Sequence, residues 1–303
     1  LKKRPAKLRI QGLHRSIGRR WIAYLVWTIL WLAAGAQIVY AADKAAATDP
    51  FTLTPHRARY ELKLAKTQPG SPVINGFGSY ELSWAKQCDG WSYEQKLDLF
   101  FVRADGSEDH WQASHAAFEG LDGQSYKFRT LRRLNDDPQD SYAGEATLGK
   151  DMGGQVQFTD PRAVTVALPK GILFPKAHLT QLLHAMAEHK QLFERQVFDG
   201  DFDHPVGTVN AFIGRTFESP TTVPELAKGL TWLVRLAYFG DGQPDAVDAK
   251  KLGNSQSAFD PLYEMEYSYN TNGVSHNLLI DFGEFSLSGN ASDIQPLPQP
   301  TCF

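Results

Sequence analysis

The chain has 303 residues, 42% of them hydrophobic, with 31 basic and 34 acidic side chains and two cysteines. The small net charge of −3 hides an asymmetry: residues 1–41 carry 8 basic and no acidic side chains, so the remainder holds 31 less 8, or 23, basic against 34 acidic residues. A body with a net charge of −11 repels phosphate backbones and anionic head groups, which excludes nucleic acid as a partner and adsorption to an anionic leaflet.

The first element is a targeting segment. Lys2, Lys3, Arg4, Lys7, Arg9, Arg15, Arg19 and Arg20 precede an uncharged apolar run from Trp21 to Ala36, and Val39-Tyr40-Ala41 then offers small residues for cleavage. A basic leader, a short apolar core and a small-residue site are the three parts of a secretory signal. The alternative is a retained anchor, but the run falls short of the ~20 residues that span a bilayer. Arg19-Arg20 fits a twin-arginine signal only loosely, which favours the general export route, and no cysteine follows the run to carry a lipid anchor. Residues 1–41 are therefore expected to be a signal peptide and 42–52 an Ala-rich disordered spacer. Folding is expected from 53 to 303, in the periplasm, with no stable membrane anchor after cleavage.

From Arg57 the pattern has period two. Ala58, Tyr60, Leu62 and Leu64 alternate with Arg57, Arg59, Glu61 and Lys63, the mark of a half-buried strand. Phe77–Trp84, Trp91–Phe101, Ser107–Phe118, Gln124–Leu134, Ser141–Leu148, Gln155–Phe158 and Ala163–Leu168 repeat it. Gly, Asp and Asn clusters such as Asp105-Gly106, Asp122-Gly123 and Asn135-Asp136-Asp137-Pro138 separate them, which predicts antiparallel sheet. One helix interrupts, beginning near Lys176, with Leu179, Leu182, Leu183, Met186 and Ala187 on a single apolar stripe. Such a stripe must be buried in the hollow of a strongly curved sheet or across its open end. Strands resume at Glu194–Phe198, Thr208–Phe217, Thr231–Phe239, Leu262–Tyr269, Ser275–Asp281 and Gly283–Ser288. The tail Pro296-Leu297-Pro298-Gln299-Pro300 reads as an unpaired strap, because its prolines lack donors. The fold class is mainly β: one domain of about fourteen antiparallel strands with one central helix.

Cys88 and Cys302 both follow the signal. In an oxidising compartment an even cysteine count points to a bridge, and two cysteines permit one internal pairing. It would close a loop of more than two hundred residues, for which the chain-entropy relation gives roughly 5 kcal/mol. Two buried free thiols or an intermolecular bridge are the alternatives.

Candidate chemistry is sparse. There is no G-x-S-x-G and no S-x-x-K at a helix start, and H-E-x-x-H is absent. His110 and His115, with Glu119, suggest a metal site, but 110 and 115 differ by an odd number and face opposite sides of a strand. His178, His184 and His189 read as solvated helix histidines. Asp199, Asp201 and Asp203 alternate as in a calcium loop, yet the bidentate Glu is missing, so they read as an acidic turn. The aromatics, among them Trp84, Trp91, Trp111, Phe128 and Phe212, read as core, with an apolar cleft on the concave face as the functional alternative. No catalytic residue, metal ligand or cofactor emerges.

The order of several short motifs resembles the EipB-like proteins of the Gram-negative cell envelope. These are His56-Arg57-Ala58-Arg59-Tyr60-Glu61-Leu62, Cys88-Asp89-Gly90-Trp91, Leu168-Pro169-Lys170-Gly171-Ile172-Leu173-Phe174-Pro175 followed by His178, Val197-Phe198-Asp199-Gly200, Asn272-Gly273-Val274 and Asp281-Phe282-Gly283-Glu284-Phe285, then Cys302. The resemblance covers roughly residues 53–302. It implies an open spiral of strands around a central helix, one disulfide between Cys88 and Cys302, and a non-enzymatic role in envelope integrity under stress. The expected partner is a periplasmic protein, or a lipid or peptide ligand. A lipid or lipoprotein carrier with an apolar cavity is the second reading and an envelope hydrolase the third.

Overall fold

The structure, a computed structural model, describes residues 51–240 and 261–302. Residues 1–50, which hold the expected signal peptide and most of the expected spacer, and residues 241–260 lie outside them. Eight strands come first: β1 (His56–Thr67), β2 (Val73–Lys86), β3 (Gly90–Arg103), β4 (Glu108–Gly120), β5 (Ser125–Leu134), β6 (Asp137–Leu148), β7 (Gly154–Asp160) and β8 (Val164–Leu168). Helix α1 (Pro175–Ala187) follows. The second run is β9 (Leu192–Val197), β10 (Gly207–Glu218), β11 (Leu230–Gly240), β12 (Tyr263–Asn270), β13 (Ser275–Asp281) and β14 (Phe285–Pro296).

All fourteen strands form one antiparallel sheet, ordered β8-β7-β6-β5-β4-β3-β2-β1-β14-β13-β12-β11-β10-β9. Each run is a meander, and the two meanders join where the first strand pairs with the last, from His56 opposite Pro296 to Thr67 opposite Phe285. The sheet curls without closing, and its edges are β8 and β9. The chain links those edges through α1. On the way, Leu173 bridges Val197 in parallel: Leu173 N–H donates to the Gln196 carbonyl at 3.0 Å, and Phe198 N–H to the Leu173 carbonyl at 3.0 Å. Part of the β9 edge is thereby covered, which removes an invitation to edge pairing.

Curling requires close approach of neighbouring backbones, and glycine supplies it beside Leu62. That residue is flanked across the ladder by Gly78 on β2 and Gly289 on β14. A Cβ on Gly78 would lie 2.0 Å from the Asp98 carbonyl oxygen, and one on Gly289 2.1 Å from that of Glu61. Neither position can carry a larger side chain without displacing the backbone. The β5–β6 hairpin turns on Asn135 and Asp136, with φ of 51° and 66°. Two consecutive left-handed residues form the type I′ turn that matches strand twist, and Asn and Asp tolerate that region. Asp137 and Pro138, expected in the turn, instead begin β6; Pro138 sits beside a bulge between Arg132 and Arg133, a position where a ladder tolerates a missing donor.

The inward side chains follow the period-two pattern: Ala58, Tyr60 and Leu62 on β1, Tyr80, Leu82 and Trp84 on β2, with Trp91 and Trp111 among the largest fully buried groups. Helix α1 is buried over more than its aliphatic stripe. Pro175, Lys176, His178, Leu179, Leu182, Leu183, Ala185 and Met186 are all buried. Ala185 replaces the expected Ala187, and His178 is not solvated: its ring lies against Phe193 of β9, centroids 5.4 Å apart. Pro175 stands at the first helical position, where its missing N–H costs nothing. The helix ends in a Schellman arrangement: His189 takes φ 56°, its N–H donates to the Met186 carbonyl, and Lys190 N–H donates to the Ala185 carbonyl.

The cysteines are joined. Cys88 lies in the β2–β3 turn, and the tail after β14 crosses the start of β1, where Leu297 N–H donates to the Pro55 carbonyl at 2.9 Å, to reach it. The Cα atoms are 5.6 Å apart and the sequence separation is 214. The free-thiol and intermolecular alternatives are thereby set aside. The expected strap begins one residue later than the sequence pattern suggests, since Pro296 still pairs opposite His56. Replacing Cys88 with Ser is expected to lower stability by about 2–5 kcal/mol. Chemical denaturation of the oxidised protein beside Cys88→Ser checks this, with a thiol titration of the native protein expected to find no free sulfhydryl.

Candidate functional site

Buried polar groups are the first place to look for chemistry, since burial without a task is costly. Glu119, at the end of β4, is fully buried and points at the helix N-terminus: Oε2 accepts from Lys176 N–H at 2.7 Å and Oε1 from Ala177 N–H at 3.0 Å. Phe174, the N-cap residue, offers no side-chain acceptor, so a glutamate from a distant strand caps the helix in its place. Burial pushes its pKa up to about 7, against the opposing pull of the Lys176 charge and the two N–H groups.

His115 faces inward from the same strand. Its Nδ1 lies 2.8 Å from Thr130 Oγ1 and its Nε2 3.2 Å from the Tyr126 hydroxyl. Burial, with help from the Arg132 charge, lowers its pKa to about 3. His110 projects to the opposite face, as parity requires, with Nε2 3.0 Å from Asp98 Oδ1. His110, His115 and Glu119 therefore do not converge, and among the described residues no group of three or more His, Cys, Asp or Glu is placed to hold a metal ion.

The segment from Asp199 to Asp203 departs from the expected acidic surface turn. Asp199 and Asp201 are buried, and each serves the backbone: Asp199 Oδ1 accepts from Asp201 N–H, and Asp201 Oδ1 from the N–H groups of Asp203 and His204. Burial raises both carboxyl pKa values, for Asp199 with the Asp201 charge adding to it. Tyr126 donates to the Asp199 carbonyl at 3.1 Å and Tyr142 to Asp203 Oδ2 at 2.8 Å. Arg132, buried on β5, lies over the Tyr142 ring at 5.0 Å. These contacts fasten the chain after β9 onto the far meander, a structural task that alternating acids in the sequence do not reveal.

The outer face carries the largest clefts described. One of about 650 Å³ runs over β1 to β5, lined by Arg59, Glu61, Phe77, Ser79, Glu81, Lys96, Asp98, Phe100, Gln112, Ser114, Leu131 and Arg133. A second of about 630 Å³ spans β1 and β11 to β14, lined in part by Glu61, Lys63, Glu266, Ser268, Asn277, Ser288, Asn290 and Ser292. Glu61 lines both, so the two clefts adjoin at β1, and together they are the outer trough. The outward phase of each strand supplies these residues, and most match the solvated face expected of them. Phe77, Phe100 and Leu131 do not: they are 49%, 40% and 39% exposed. Phe77 pairs in register with Phe100 and Phe100 with His110, with ring centroids 5.4 and 4.1 Å apart, giving a three-ring ladder. Arg59 is held by Glu61 and Glu81, and Asp98 accepts from His110 and Gln112. Lys96 and Arg133 form no ion pair among the described residues. Phe212, expected in the core, is 57% exposed and pairs with Leu192, itself exposed, at the β9–β10 edge.

Residues 47–298 match the EipB-like family. The chain belongs to that family. It is 26% identical over 260 residues to the cell envelope integrity protein EipB of Brucella abortus (strain 2308), an alignment covering 82% of this chain and 86% of the relative. A Brucella abortus crystal structure, described as a beta-barrel-like protein of a domain of unknown function, superposes with a TM-score of 0.71. It has 21% identity and covers 81% of this chain and 99% of that one. The second likeness supports the curled sheet. Among the described residues, no helix is long and apolar enough to cross a membrane.

Two outcomes test the interior. Glu119→Ala is expected to lose about 1–2 kcal/mol or more, since two helix N–H groups lose their acceptor; thermal unfolding measures it. The pH dependence has two opposed parts. His56 and His115, depressed to about 4 and about 3, stabilise the fold above pH 6.5 and lose that contribution as pH falls. Glu119, raised to about 7, does the reverse, destabilising as pH rises from about 4.5 through 7. Melting curves should therefore show His115→Gln losing less stability than wild type from pH 7 to 4.5, and Glu119→Gln losing less from pH 5 to 8.

Proposed function

We propose that this chain is an exported, non-enzymatic protein of the periplasm that maintains cell-envelope integrity by binding, with the outer trough as its binding surface. The observation that carries this reading is the division of labour between the two faces of the sheet. The inner face is packed with buried aromatic and aliphatic side chains and meets the buried side of α1, whereas the outer face holds an open trough with exposed rings. A carrier of lipid or lipoprotein would need an apolar interior free to take acyl chains, and the inward side chains, Tyr60, Trp84, Trp91 and Trp111 among them, are packed into one core cluster instead. A hydrolase would need an activated group facing substrate. Glu119, Asp199 and Asp201 instead hold backbone N–H groups, His115 is held by Thr130 and Tyr126, and none of these lines the trough. The basic leader and apolar run at residues 2–36 support export, the Cys88–Cys302 bridge fits an oxidising compartment, and the role for which the Brucella relative is named supports the envelope task.

Deleting the gene in its native bacterium is expected to sensitise cells to detergent. The wild-type chain should restore resistance from the periplasmic fraction, and a variant with Phe100→Ala and Arg133→Ala should not, at equal abundance. Full rescue by that variant would sink the assignment of the trough, and recovery of the working protein in the cytosol would sink the assignment of compartment.

A further inference from the structure

The trough's lining says what it can hold. We propose that it binds a neutral oligosaccharide strand laid across the outer face of the sheet, from the Asn277 end on β13 to the aromatic ladder on β2–β4. This rests on the trough being the binding surface and names the chemistry of its occupant.

Three observations carry it. The first is charge. Arg59, Lys96 and Arg133 face Glu61, Glu81 and Asp98 in the larger cleft, three against three. A balanced lining offers no net attraction to a polyanion or a polycation, and the chain's negative total disfavours a polyanion further. The second is the type of group. Carboxylates, guanidinium groups and the amide of Gln112 stand beside the hydroxyls of Ser79 and Ser114, and the far cleft adds Asn277, Asn290 and Ser288. Planar groups with paired donors or acceptors suit adjacent hydroxyls of a sugar ring. Phe77, Phe100 and His110 stack on one another, so the ladder offers its exposed ring edges as an apolar platform against which the C–H groups of a pyranose can pack.

The third is position. The trough crosses strands that are paired on both sides, so their backbone donors and acceptors are already used in the ladder. An extended peptide draws much of its affinity from main-chain bonds at a free sheet edge; here only side chains are on offer, which is how a sugar is held. From β13 to β5 the path crosses six strand spacings, about 30 Å at the usual separation, room for several sugar units. Leu131, with Phe77 and Phe100, supplies too small an apolar area to seat an acyl chain or a bilayer.

Isothermal titration of the purified, oxidised protein with chitohexaose, cellohexaose and maltohexaose tests this, with a neutral hexapeptide and anionic phospholipid vesicles as competing probes. At least one hexasaccharide should bind saturably. Phe100→Ala should weaken it by about tenfold or more, equivalent to about 1.4 kcal/mol, with the protein still folded at the titration temperature. Ser79→Tyr, which fills the floor of the cleft, should do likewise, and Phe212→Ala, at the distant exposed edge, should change nothing. Failure of every hexasaccharide to saturate by ~10 mM, a Kd that would leave under about 3 kcal/mol of binding, overturns the proposal. So does binding indifferent to both trough variants, or trough-dependent binding of the peptide or vesicles in place of sugar. If the Phe100→Ala, Arg133→Ala chain fails to restore envelope resistance while no sugar binds, the trough survives as the working surface and only its saccharide occupant is lost.

Discussion

The pairing of β1 with β14 turns two meanders into one sheet. Every other neighbour relation in the fold is between strands adjacent in sequence, which a chain can form locally hairpin by hairpin. Only this ladder, from His56–Pro296 to Thr67–Phe285, brings opposite ends of the fold together. Both interior and exterior depend on it. The inward residues of β1 and β14, such as Tyr60, Leu62 and Leu287, join the core contributed by both meanders. Their outward neighbours, Glu61 and Asn290, lie where the two clefts meet. The disulfide fastens the same seam a second time, beyond the strand ends.

A sheet this long would twist open unless something drew it round. Glycine at 78 lets β2 come close to β3, and glycine at 289 lets β14 come close to β1, while the connection through Leu173 and α1 links the two free edges. The helix is tied to both meanders: His178 packs against Phe193 of β9, and Glu119 at the end of β4 caps its N-terminus. Because the capping carboxylate comes from so far along the chain, helix and sheet stabilise one another: neither reaches its full hydrogen-bond complement alone.

Much of this was legible in residue order. Period-two alternation located thirteen strands within about four residues, because each has one dry and one wet face, and the apolar stripe located α1, whereas β14 runs on to Pro296, eight residues past the expected end at Ser288. The single permitted pairing of two cysteines led to the bridge. What escaped were features set by tertiary position. His178 and the Asp199–Asp201 pair look solvated in sequence and are buried, since periodicity does not report what lies opposite a face. Glu119 as a helix cap joins residues 57 and 58 positions apart, which no local pattern encodes. The aromatic ladder was partly readable. Phe77 shares the phase of Ser79 and Glu81, and Phe100-Phe101 places one ring on each face, so parity alone sends two rings outward. Their alignment with His110 depended on register across three strands.

The seam between the first and last strands also dictates an order of events. A chain that emerges amino end first builds β1 to β8 long before β14 exists, so the outer rim of β1 must wait with its amide and carbonyl groups unmet while most of the molecule is still arriving. During that interval the half-built sheet has an open flank available to any other extended segment nearby. The charged residues Arg57, Arg59, Glu61 and Lys63 alternate along that waiting flank, and repeated charge of this kind discourages intruders until the rightful neighbour appears.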